Sequence, residues 1–221
     1  MLRRMLLGGF VLLLGLGCLL QGWKGYRLSG LAKDEAQVLT CVELAQRGPG
    51  DNVHVALTKF VLAPVYAFEA KRASSAWSKV WVPVVPIDGE YARAAIAGVA
   101  RDPGAPLAPP RDVHVLMFSR NAKDEASVTE IGSRARLEGL VLNAVEDLPD
   151  SAARILRERY PGVDLDRCWI LEEGRGRPSL GEAGLWGAGG AMLLGGWVVA
   201  LWRARASRSS TGRRRTPTRS S

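Results

Sequence analysis

The sequence predicts an α+β protein in which a β-rich extracytoplasmic domain lies between two transmembrane α-helices. Three observations predict it. Residues 5–20 and 183–202 form two blocks without a single charge. Arginines crowd the outer end of each block, whereas the stretch between the blocks is balanced. That middle stretch shows more period-2 than period-3.6 patterning, the mark of strands.

The second block has the length an α-helix needs to cross a hydrocarbon core, about 20 residues. The first is shorter and reaches that length when Gln21, Gly22 and Trp23 sit in the interface, where Trp is favoured. These blocks divide the chain into a cytoplasmic N-terminus (1–4), a first spanning helix (5–23), a domain (24–182), a second spanning helix (183–202) and a basic tail (203–221) that reads as disordered. An uncleaved first helix is expected. Its basic start and apolar run also fit a cleaved signal peptide, and Gly15-Leu16-Gly17-Cys18 distantly resembles a lipoprotein processing box.

Nine of the 30 basic residues stand outside the blocks: Arg3 and Arg4 before the first; Arg203, Arg205, Arg208, Arg213, Arg214, Arg215 and Arg219 after the second. The remaining 21 face 22 acidic residues, so the net charge of +8 belongs to the ends and the domain is near neutral. A nucleic-acid-binding domain would carry its excess charge on its own surface, so no nucleic-acid partner is expected. Short Lys/Arg-rich segments stay in the cytoplasm. Both termini are therefore expected inside, in the plasma (inner) membrane if the source is bacterial, with the bilayer as partner and the tail arginines facing anionic headgroups. Gly187, Ala191 and Gly195 recur every four residues and would line one face for close packing against the first helix, a second copy or another protein.

Within the domain, Val53, Val55 and Leu57 alternate with polar or small residues over 52–62, which predicts a strand. Residues 77–85 are rich in Val and Trp; Pro83 and Pro86 place that strand at an edge or end it. Residues 113–118, 135–142 and 167–171 are further strands. Helices are expected over 90–100 and after Asp150 as N-cap, ending at Pro161-Gly162. A Pro-rich loop covers 102–111. Cys41 and Cys168 read as two buried thiols, with a disulfide between them as the alternative if the domain faces an oxidising compartment.

No stretch commits the domain to a reaction. The two histidines, His54 and His114, both fall in strand patterns, and no Gly-x-Ser-x-Gly elbow accompanies them. The two His and two Cys show none of the close pairs of a zinc site. The pairs Asp34-Glu35, Asp164/Asp166 and Glu172-Glu173 read as solvated turns and helix starts. Gly174-Arg175-Gly176-Arg177 lacks the Lys-Ser/Thr of a phosphate loop and reads as a joint whose arginines touch lipid phosphates. Neither cofactor nor metal is expected. The expectation is therefore an interaction or assembly module for a membrane or extracytoplasmic protein, with Trp77 and Trp81 as the partner surface or, failing that, as core. The alternative is a membrane-tethered enzyme or ligand-binding domain that would gather His54 or His114 with acidic side chains. The layout of anchor, β-rich domain and anchor is similar to that of the two-anchor assembly factors of respiratory oxidase, a likeness of layout without matched motifs.

Overall fold

In the computed structural model, residues 2–71, 76–101, 109–143 and 145–211 are described. Contacts divide the chain into two units, one of residues 1–26 with 178–221, the other Arg27–Arg177.

The first unit holds two long helices. α1 runs over Leu2–Leu31. Its apolar stretch, Gly8–Leu31, and a second one, Leu180–Arg203, are each long and apolar enough to cross a membrane. The two pack antiparallel: a Cβ on Gly22 would meet Gly187, one on Gly15 would meet Leu194, and one on Gly8 would meet Trp197. The helix that carries the second stretch spans Leu180–Thr211. Residues 203–211, expected as part of an irregular tail, are thus helical. The run Arg203-Ala-Arg-Ala-Ser-Arg contains no helix breaker and extends the helix that precedes it.

The second unit is a mixed α+β domain with an eight-stranded sheet. Its elements after α1 are β1 (Gln37–Thr40), α2 (Cys41–Arg47), β2 (His54–Thr58), β3 (Phe60–Leu62), β4 (Ala67–Ala70), β5 (Trp77–Pro86), α3 (Glu90–Arg101), β6 (Val115–Ser119), α4 (Glu125–Gly132), β7 (Leu137–Val141), α5 (Asp150–Arg159) and β8 (Trp169–Glu173); the helix from Leu180 is α6. The sheet order is β1-β2-β7-β8-β6-β5-β3, with β4 also on β5. β1 is parallel to β2 and β6 to β8; the other pairs are antiparallel.

Local chemistry explains most of these bounds. Thr40 caps α2 in a capping box: its hydroxyl accepts from the Glu43 amide while the Glu43 carboxylate accepts from the Thr40 amide. Asp124 caps α4 one way, its carboxylate accepting from the Ser127 amide. Asp150, expected as the cap of α5, is its first helical residue; the cap position is Pro149, which offers no side-chain acceptor. The strand expected over 52–62 is broken by Lys59, whose φ of 53° turns the chain from β2 into β3.

β5 is central rather than an edge. It bonds β6 on one side and both β3 and β4 on the other, and it ends at Pro86. Pro83 fits there because β3 pairs with Val84–Pro86 and β4 with Trp77–Trp81. The Pro83 carbonyl accepts from the Ala63 amide in the gap between them, so the missing N–H falls where no ladder bond is needed.

The core is built on the sheet from Val55, Leu57, Val80, Val82, Val84, Leu116, Met117, Leu140 and Leu171, with Leu28, Leu44 and Leu156 from the helices. Gly139 lies where β7 and β8 come closest. A Cβ at that position would overlap the carbonyl oxygen of Glu172.

Candidate functional site

Three places in the domain gather side chains that could serve a function. The first is aromatic. Phe68 on β4 stacks on Trp77 at the start of β5, with ring centroids 4.6 Å apart, and Tyr66 tilts against the same indole at 5.4 Å. Phe68 is 45% exposed, and Val65 beside it is also partly open. Among the described residues β4 pairs with β5 alone, so its outer backbone forms an edge. Lys79 and Glu69 form an ion pair at 3.1 Å across the same two strands. Trp81, two residues on from Lys79, is different. It is 3% exposed and stacks on Phe118 at 5.4 Å, so it belongs to the core and offers no surface. Of the two tryptophans expected at a partner surface, Trp81 is buried and Trp77 is half-buried.

The second place is charged. Glu172 and Glu173, expected in a solvated turn, end β8 and are both buried. They point to opposite faces of the sheet, as successive strand residues must. Glu172 takes Arg120 at 2.7 Å on one oxygen and Arg175 at 2.5 Å on the other. Glu173 takes Arg134 at 2.9 Å and accepts from the Ser119 hydroxyl at 3.0 Å. Ser119 Oγ in turn accepts from the amides of Asn121 and Ala122. Each buried carboxylate is thus paired and hydrogen-bonded, the condition for burying charge without a large penalty. Arg175 is therefore an internal partner. Arg177 is one too: it donates to the Ser29 carbonyl and pairs with Asp34 at 2.9 Å.

The third place is a groove of about 760 Å³ lined by Arg111, His114, Asn143, Asp147, Asp164, Asp166, Arg167 and Trp169, among others. A neighbouring depression of about 540 Å³ shares Arg111 and His114. Asp166 is already paired with Arg157 at 2.9 Å, and both polar atoms of the Asn143 side chain serve the β8 backbone, at Cys168 and Ile170. His114 and several acidic side chains do meet here, whereas His54 stands apart, buried at the start of β2. Among the described residues no three His, Cys, Asp or Glu side chains form a metal-binding group.

Cys41 and Cys168 are both free and buried. Burial pushes each thiol up to about 12, with Asp112 and Asp88 adding to the rise at Cys41, and Asp164 and Asp166 at Cys168. Of the small residues on α6, Gly187 lies against Gly22 of α1, whereas Ala191 is exposed and Gly195 has open space around it. The face that meets α1 runs through Ala183, Gly187, Gly190, Leu194 and Trp197 instead. Strict four-residue spacing drifts off a contact face that follows alternating steps of four and three. Arg203 is exposed; Arg205 and Arg208 continue α6; Arg213, Arg214 and Arg215 lie outside the described residues, as does most of the Pro-rich loop.

The aromatic edge and the groove were missed by sequence patterning for different reasons. β4 is four residues long, too short to show a period. The groove draws on segments distant in sequence. Tyr66-Ala-Phe68 did carry a signal, an aromatic pair at strand spacing. No family model, no curated protein and no solved structure matches the chain.

Proposed function

We propose that this chain is a membrane-anchored interaction module, whose domain docks an extended segment of a neighbouring membrane or extracytoplasmic protein along β4. One observation carries the reading: the exposed Phe68 stacks on the half-buried Trp77 at a sheet edge that, among the described residues, pairs with one strand only. Such an edge offers unpaired backbone groups for an added strand, and aromatic side chains give the anchoring contacts that concentrate binding energy. The Lys79–Glu69 pair beside it presents both signs of charge, which suits a segment of mixed polarity. With two apolar helices holding the domain at the bilayer, the favoured partner is a lateral one. In the same reading both termini are cytoplasmic and the domain is extracytoplasmic.

The test is a photo-crosslinking residue placed at Phe68 in native membranes, followed by co-purification in mild detergent. A stoichiometric partner is expected to crosslink from position 68 and not from the exposed Arg93, and the same partner should be missing when Phe68→Asp, without a crosslinker, is co-purified. Recovery of the protein alone across several detergents would remove this reading. A second reading, ligand binding, draws support from the groove, where Arg111, Arg167 and His114 line a concavity of about 760 Å³ with Trp169.

A further inference from the structure

We propose that the groove beside the starts of β6 and β8 binds a small zwitterion, an amino acid or short peptide with an apolar side chain, whose carboxylate is taken by Arg111 and Arg167 and whose ammonium is taken by Asp147 and Asp164. The inference rests on the ligand reading of that groove and is independent of the partner at β4. Charge carries it. Asp166 on the groove wall is answered by Arg157 at 2.9 Å. That leaves two guanidinium groups and two carboxylates lining one concavity, and among the described residues none of these four forms an ion pair. Elsewhere in the domain Arg120, Arg134, Arg175 and Arg177 each meet a carboxylate at 2.9 Å or closer. A purely anionic ligand would meet the two aspartates and a purely cationic one the two arginines, so a ligand of one sign is disfavoured. A zwitterion answers both pairs.

The walls are fixed by the domain itself. The Trp169 amide donates to the His114 carbonyl at 2.9 Å and joins the starts of β8 and β6. Asn143 clamps the loop after β7 to β8: its Nδ2 donates to the Cys168 carbonyl and its Oδ1 accepts from the Ile170 amide. The Cys168 thiol is directed at the Val113 and Asp164 carbonyls. Arg167 ends a short 3-10 turn, Leu165–Arg167, whose cap position is Asp164, so one small turn carries both signs of charge. The Trp169 indole is seated on the end of α2. Gly48 has a φ of 67° there, and a Cβ on it would lie 2.6 Å from the ring. With Ala45 and Val163, the half-buried indole gives the groove an apolar wall. Such a wall receives an apolar side chain, and the face of an indole also attracts an ammonium group. The volume of about 760 Å³ admits an amino acid or a short peptide. A scaffold that already holds opposite charges apart loses little freedom when a ligand settles between them.

Full-length protein in detergent micelles is dialysed to equilibrium at neutral pH against radiolabelled phenylalanine or phenylalanyl-phenylalanine, with retention by empty micelles subtracted. Retention of phenylalanine or the dipeptide is expected. N-acetylphenylalanine, which lacks the ammonium, and phenylalaninamide, which lacks the carboxylate, should each bind about tenfold more weakly than phenylalanine. Arg111→Gln with Arg167→Gln should remove the preference over the amide. Asp147→Asn with Asp164→Asn should remove the preference over the acetylated form. All four side chains are exposed, so both pairs of changes should leave the melting temperature in place. Tighter retention of the dipeptide assigns a peptide as the ligand, and tighter retention of phenylalanine a free amino acid; both outcomes support the proposal. An acetylated or amidated form held as tightly as phenylalanine overturns the zwitterion and leaves the ligand reading of the groove standing. Retention unchanged in both double variants places binding elsewhere and overturns the proposal. Retention of none of the four compounds overturns it too, and takes away the support for the ligand reading.

Discussion

Cys41 and Cys168 show how the surroundings of one side chain set its chemistry. A thiol attacks as the thiolate, and burial beside carboxylates disfavours that charge. With both thiols pushed up to about 12, Cys41 and Cys168 of native Cys18→Ser protein should resist maleimide at pH 8 and take up label once unfolded; mass spectrometry of the two states checks this. Label entering either thiol of the native protein would mean an open site. Tyr160 is raised similarly to about 12 by burial, and its hydroxyl donates to the Val65 carbonyl. All three groups hold their protons longer in the folded chain than in the unfolded one. Their contribution is therefore whole below about pH 9 and declines as pH rises towards about 12. An alkaline unfolding series should show that decline, with a smaller loss in Tyr160→Phe. Gly139 is the other position where one residue decides much. Because a Cβ there overlaps the backbone of Glu172, Gly139→Ala should cost about 3 kcal/mol, the upper end of overpacking, read as a lowered denaturation midpoint. Neither effect was legible in the sequence. A glycine inside a strand pattern signals a close approach somewhere, but not to what. Glu172 and Glu173 read as surface because their partners Arg120 and Arg134 are distant in sequence.

Elements were legible in proportion to length and period. Five strand regions were visible because alternating Val, Leu and Trp are what half-buried strands require. The missed ones, β1 and β4, have four residues each. α2 and α4 are short helices marked chiefly by Thr40-x-x-Glu43 and by Asp124, cues that are silent unless a helix is already suspected. The order of the strands followed from none of this, since pairing is settled by contacts across the chain. The two long helices were the clearest elements, and of the residues expected on one packing face Gly187 meets α1, whereas Ala191 and Gly195 face away from it. Gly15, Gly22 and Gly190 make close approaches to the opposite helix that a larger side chain would prevent. Gly22→Leu or Gly190→Leu should therefore cost the helix pair about 2 kcal/mol, whereas Ala191→Leu and Gly195→Leu should be neutral. Disulfide yield between Gly8→Cys and Trp197→Cys, in a Cys18→Ser background, reads the difference. It should fall several-fold for the first two and hold for the others. Equal losses at all four positions would mean that α6 turns a different face to α1.

At the scale of the whole molecule, charge and hydrophobicity are segregated rather than mixed. The two apolar stretches carry most of the exposed large side chains, among them Phe10, Leu13, Trp23, Leu185, Met192 and Trp202. An apolar surface of that extent on helices of spanning length is stable against hydrocarbon and costly against water. Among the described residues the balanced domain has no comparable surface; its exposed apolar residues, such as Val38, Ile87 and Phe68, are scattered. The arginines follow the same division. Arg203 ends the apolar stretch of α6, and Arg205 and Arg208 follow it on the same helix, where a positive end resists translocation. If those arginines set the orientation, a reporter fused after Ser221 that works only after export should stay silent, and one that works only in the cytoplasm should be active. Changing Arg203, Arg205 and Arg208 together to Ser should shift a measurable fraction of the chains to the exported state, because it removes the nearest positive charges while leaving the apolar length intact. An export reporter active in the unaltered chain would place the tail outside. The domain would then face the cytoplasm, and the edge at Phe68 would have to be tested against cytoplasmic partners.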